Sequence, residues 1–226
     1  MIKNKFSMQS PRRVWAFDGI DGYNTSFLLS GDISESRTQD EHALQRKKAK
    51  RNEFYVECMP FYHSLFTTLY KNRKNNDFKN GVEEVRQFIS ESLFEYPLTT
   101  LTRVRYNPDG KNDLIVHDYK QPQQFRIKLD SIVGPNGYIL GGDQDNIEKP
   151  LQILLGTNQS LQEINDVYMW LTAKSVYLKR INETPKISLE SVAVFTSYSG
   201  WSGLDCYRGT AYSDTALLVR EVLKVN

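Results

Sequence analysis

The chain has 226 residues, with 29 Lys plus Arg against 27 Asp plus Glu, 39% hydrophobic and 12% aromatic content. That length and apolar fraction suffice for one sizeable core, and the near cancellation of charge leaves no global field to draw the protein to nucleic acid or an anionic membrane. Any such binding has to be local. No apolar run approaches the roughly 18 residues of a spanning helix. The opening Met1 to Met8 carries two lysines with no apolar segment behind them, since Gln9, Ser10, Pro11, Arg12 and Arg13 follow. The expectation is a chain without secretion signal or membrane contact, with Cys58 and Cys206 reduced in a cytoplasmic setting.

Arg13 to Phe17 is short and aromatic, and Asp18-Gly19 and Asp21-Gly22 supply turn chemistry before Thr25 to Leu29; this predicts two strands. A polar stretch over about residues 30–52 follows. Within it Thr38 and Glu41 have capping-box spacing, which predicts a helix running to about Asn52. Its second half holds Arg46, Lys47, Lys48, Lys50 and Arg51 with Ala49 as the one apolar residue among them, so the expectation is a helix with no buried side. Phe54 to Tyr70 is densely aromatic, and Pro60 divides a short strand from a helix. The basic, polar Lys71 to Asn76 ends that helix as an exposed loop. Val82, Val85, Phe88, Ile89 and Leu93 then recur at helical spacing.

From Leu98 the period changes to two. A hairpin turn at Asn107-Pro108-Asp109-Gly110 and a second turn at Gly134 to Gly137 predict an antiparallel meander of three to five strands over about residues 98–141. After the apolar run Leu151 to Leu155, Ser160 and Glu163 form a second capping box, heading a helix read from Leu161 through Leu178. Ser188 to Ser197 reads as a strand. Ser213-Asp214 reads as the start of a last helix carrying Leu217, Leu218, Val222 and Leu223. Strands and helices are grouped rather than alternating, which predicts a single α+β domain in which the meander packs against several amphipathic helices.

Candidate chemistry is sparse. Asp113, Asp118 and Lys120, with Glu91 or Glu95 from the preceding helix, have the residue types of a metal-dependent nuclease or phosphodiesterase, in which carboxylates hold the cation and a lysine neutralises developing charge. Asp113 and Asp118 are an odd number apart, however, and would point to opposite faces of one strand. Asp143, Asp145 and Glu148 offer hard oxygen ligands without the full spacing of a calcium loop. His42, His63 and His117 lie on separate elements, and no nucleophile elbow or phosphate-binding glycine loop occurs.

Two contact surfaces stand out instead. Arg46, Lys47, Lys48, Lys50 and Arg51 concentrate positive charge that could meet phosphates or an acidic protein surface. Tyr198, Trp201, Tyr207 and Tyr212 sit among glycines and serines as a rigid aromatic loop. Without a constellation for bond-making, the sequence reads as a non-enzymatic interaction or structural subunit of a larger assembly. It needs no cofactor, self-associates or binds protein partners, and has nucleic acid as a further partner through the basic helix. Frequent Asn, Lys and Tyr suggest AT-rich coding, which fits a phage structural subunit and a place within a virion. A metal-dependent nuclease and a nucleic-acid-binding regulator are the alternatives.

Overall fold

A computed structural model describes residues 13–23, 25–141 and 147–222. Ten strands and five helices are found among them: β1 (Val14–Phe17), β2 (Ser26–Ile33), α1 (Gln39–Lys48), α2 (Met59–Asn72), α3 (Lys79–Glu95), β3 (Leu98–Tyr106), β4 (Asp113–His117), β5 (Phe125–Leu129), β6 (Gly137–Tyr138), α4 (Glu148–Leu155), α5 (Leu161–Thr172), β7 (Val176–Lys179), β8 (Leu189–Ser197), β9 (Ser202–Gly209) and β10 (Leu217–Val222). The mixed α+β class is as expected. No described helix is long and apolar enough to cross a membrane.

Two sheets result: a small one in the order β1-β2-β10 and a seven-stranded one in the order β5-β4-β3-β8-β9-β7-β6. β3, β4 and β5 are the antiparallel meander. The last strand of the same stretch, β6, leaves it for the opposite edge, where it pairs with β7. Among the described residues β7 and β9 form the one parallel pair of the large sheet.

Both capping boxes form. Thr38 Oγ1 accepts from Glu41 N while the Glu41 carboxylate takes Thr38 N at 2.8 Å, and Ser160 and Glu163 repeat the arrangement on α5. Pro60 stands in the first turn of α2, where a missing amide costs nothing. The core closes where α2 and α5 meet the large sheet: Phe195 of β8 packs against Phe66, Tyr62 and Tyr168, all fully buried. Each such ring contributes about 1.5–3 kcal/mol by leaving water. On the opposite face of the sheet sits α1, over Arg103 of β3.

Four expectations need correction. The helix begun at Thr38 ends at Lys48, with Ala49 turning to an extended ψ of 129°, and it does have a buried side made of Gln39, His42 and Ala43. Ahead of α2 there is no strand but a single bridge, Tyr55 to Val219. α5 ends at Ala173, which adopts a left-handed φ of 59°, so Leu178 belongs to β7. The C-terminal helix is a strand. Asp214 exchanges both backbone hydrogen bonds with Arg37, and its carboxylate grips Arg208 at 2.7 and 3.0 Å; Leu217 to Val222 then pairs with β2. The apolar residues there fit either period, and tertiary pairing decided between them.

Candidate functional site: two exposed regions of one sheet face

The basic stretch of α1 divides at Arg46. Gln39, His42, Ala43 and Arg46 fall at helical i, i+3, i+4, i+7 spacing and turn inward together. Gln39 Nε2 donates to the carbonyls of Thr100 and Thr102, which lie where the β3–β8 register shifts, and its Oε1 accepts from Arg103. Arg46 reaches Glu57 at 2.8 Å and Asp118 at 2.5 Å, with its side chain only 20% exposed. It is a structural cation, and the expected exposed role does not apply to it. Lys47, Lys48, Lys50 and Arg51 remain exposed, and none forms an ion pair among the described residues.

Around Arg46 lies the one group among the described residues with metal-ligand proximity. Glu57, Cys58 and Asp118 offer atoms within 4.8 Å of one another. The guanidinium already supplies the positive charge those carboxylates require, so the donor set does not call for an ion. Burial pushes the Glu57 carboxyl up to about 7 against the pull of Arg46, and burial also raises the Cys58 thiol. Both cysteines are free and buried.

The nuclease residues go to separate partners. Asp113 is fully buried and accepts from Asn107 N at 2.7 Å and Ile132 N at 2.9 Å, tying the β3–β4 turn to the loop after β5. Asp118 belongs to Arg46, and Lys120 donates to Asp40 at 2.7 Å. Glu91 accepts from Gln87 on the surface of α3. Asp143 and Asp145 lie outside the described residues, and Glu148 opens α4. The three histidines are buried and held by structural bonds: His42 to Asp214 O, His117 to Thr102 and Ile153 O, His63 to Gln159 and Tyr168. Burial lowers the affinity of each for a proton, His63 to about 4. His63 borders an open cleft of about 680 Å³ with Tyr23, Thr67, Lys71 and Gln159, but as a neutral imidazole bonded to Gln159 at 2.7 Å it is not poised for proton transfer near pH 7.

The aromatic loop splits as well. Tyr198 and Trp201 stay together, with ring centroids 4.5 Å apart, while Tyr207 and Tyr212 lie at the far end of β9 and in the turn after it. Tyr212 stacks on Arg208 at 4.2 Å. Trp201 instead joins residues that no local pattern connects to it. Tyr138, Tyr177, Gly203 and Thr196 are paired in one row across β6, β7, β9 and β8, so their Cα substituents project to one side. Gly203 leaves the gap into which the Trp201 ring folds: a Cβ there would lie 2.2 Å from both Trp201 Cζ3 and Thr196 Oγ1. The result is a ladder, Tyr138–Tyr177–Trp201–Tyr198, with successive centroids 5.4, 4.8 and 4.5 Å apart.

Lys174 links the ladder to two helix ends. Its ammonium donates to Tyr198 O at 2.6 Å and Ser197 Oγ at 3.0 Å and lies 4.9 Å from the Phe94 ring. Phe94 at the end of α3 is 63% exposed, Tyr198 50%, Tyr138 44% and Met169 of α5 40%. Because Phe195 faces α2 and α5, its neighbour Thr196 and the ladder lie on the sheet face those helices leave open. The chain matches no protein-family model, no curated protein and no solved structure.

Proposed function

We propose that the protein works by binding rather than by bond-making, as a subunit of an assembly held through the aromatic ladder at the β6–β7 end of its large sheet. The observation that carries this is the grouping of Phe94, Met169, Tyr138, Tyr177, Tyr198 and Trp201 at one end of the fold, outside the core. Large aromatic side chains with few rotatable bonds and a methionine are the residue types that contribute most when an interface closes over them. The histidines and the carboxylates Asp113 and Asp118, which chemistry would need, are committed to structural bonds.

A second copy of this chain is the partner favoured. Among the described residues the cation within the patch, Lys174, already donates to Ser197 and Tyr198, so what they present there is rings and small polar groups. Such a patch is complementary to itself, which is what a two-fold contact requires. Size-exclusion chromatography with light scattering over a wide concentration range tests this. The wild type forms a defined oligomer, and Trp201→Ala combined with Phe94→Ser returns it to a monomer with unchanged circular dichroism. A wild-type chain that is monomeric at every concentration overturns the reading.

A further inference from the structure

The α1 face of the large sheet carries a second exposed group at the β5 edge. Arg126 pairs in register with Val116, and Val116 with Arg103, whose guanidinium meets Asp40 of α1. Paired residues project to the same side, so Arg126 and Lys128 lie on the face that carries α1, with Leu114 and Arg105 in the row beside them. His117, on the opposite face, meets α4 through Ile153 O. The loop after β4 bridges strand and helix: Asp118 binds Arg46, Lys120 binds Asp40, and Gln121 Nε2 donates to Ala43 O at 3.1 Å. The end of α1 and strand β5 therefore flank one loop.

Charge is unbalanced along this line. Lys47, Lys48, Lys50, Arg51, Arg126 and Lys128 are all exposed, and none has an ion-pair partner among the described residues. The neighbouring acids are taken: Asp118 by Arg46, Asp40 by Arg103 and Lys120, Glu190 by Arg103 and Arg105. Glu53 uses a carboxylate oxygen on Lys50 N, and Asp130 just past β5 is a local offset.

We infer that this surface, running from residues 47–51 over the 118–121 loop to Arg126 and Lys128, binds the phosphate backbone of a nucleic-acid duplex without reading its sequence. Six cations spread over a helix end and an adjacent strand match a line of phosphates, and each neutralised phosphate releases counterions. A duplex fits better than a single strand because single-strand sites interleave cations with rings on which bases stack. Here Tyr119, the ring within the 118–121 loop, is already covered by Arg103 at 3.5 Å, and Tyr55 beside the end of α1 is covered by Arg46 at 5.4 Å. Cations on an edge strand also discourage strand-to-strand pairing. That role accounts for Arg126 and Lys128 but not for the four at the end of α1.

Fluorescence anisotropy of a labelled duplex of about 20 base pairs, titrated at low and moderate salt, tests the inference. Six phosphate contacts give roughly a thousandfold loss of affinity between about 50 and 200 mM salt. Arg126→Ala with Lys128→Ala lowers the slope of log K against log salt by about two, and Lys47→Ala with Lys48→Ala does the same. Trp201→Ala with Phe94→Ser leaves affinity per chain within about twofold, which separates this surface from the aromatic contact. No shift at low salt overturns the inference, as does tighter binding of the single strand, preferential competition by polyglutamate, or a β5 double variant that self-associates while binding the duplex unchanged.

Discussion

At the β5 end of the large sheet the exposed strand presents Arg126 and Lys128, whereas at the β6–β7 end the same face presents Tyr138 and Tyr177 with Trp201 folded beside them. Both ends leave strand edges that could pair with another chain. The basic end resists that pairing by repulsion, since two copies brought edge to edge would oppose like charges. Among the described residues the aromatic end shows no such guard, and its edge strand is only two residues long. The difference teaches why the two proposals assign the ends different partners: the first a polyanion, the second a surface as apolar as itself.

Between them α1 holds the basic end in place, and the largest expected effect comes from loosening it. Arg46→Ala leaves the buried Glu57 and the partly buried Asp118 without their cation, which costs on the order of 3–5 kcal/mol; urea denaturation reads this as a large fall in midpoint. Lys47→Ala, one residue on, shifts stability by less than about 0.5 kcal/mol. Equal effects from the two would break the division of α1 into a structural and a presenting half.

The ionisation of two buried groups gives the next effect. Glu57 is raised to about 7 in the fold, so its contribution is fully present below its unfolded value near 4.5 and is lost as pH rises through 7. His63 is lowered to about 4, so it withdraws stability as pH falls from 6.5 toward 4. The two slopes oppose each other, each worth on the order of 3 kcal/mol across its window. Measured by denaturation at several pH values, Glu57→Gln removes the loss above pH 5 and His63→Gln the loss below pH 6. Unchanged profiles would show that neither group titrates as its burial dictates.

At the aromatic end, Gly203→Ala forces the Trp201 ring out of the row, because a Cβ has no room beside Cζ3 and Thr196 Oγ1. Overpacking of this kind costs about 1–3 kcal/mol, and the tryptophan emission shifts to the red while duplex affinity holds. Smallest of all, Tyr207→Ser lies outside the ladder and changes neither assembly nor, within about 0.5 kcal/mol, stability.

The helices with capping boxes and the β3–β5 meander were legible because their signals are local: Thr38 with Glu41, Ser160 with Glu163, and the turn at Asn107 to Gly110. The inward stripe of α1 was present in the spacing of Gln39, His42, Ala43 and Arg46, but three of its four members are polar, and a search for apolar periodicity passes over them. β10 is not legible as a strand because Leu217 to Val222 satisfies both periods and the choice rests on β2, far away in sequence. Of the four rings of the ladder, Tyr198 and Trp201 are neighbours in the sequence. Tyr138 and Tyr177 join them through the β6–β7 and parallel β7–β9 pairings, which nothing in the local sequence announces.

The most direct test of the two-ended account is amide hydrogen exchange compared at low and high protein concentration. Concentration-dependent protection at residues 137–138, 176–179 and 198–203 and at the end of α3 around Phe94, with 125–129 unchanged, is the predicted result. Protection appearing at 125–129 instead, or at neither end, would contradict the assignment of the aromatic end as the self-contact and the basic end as the surface kept free.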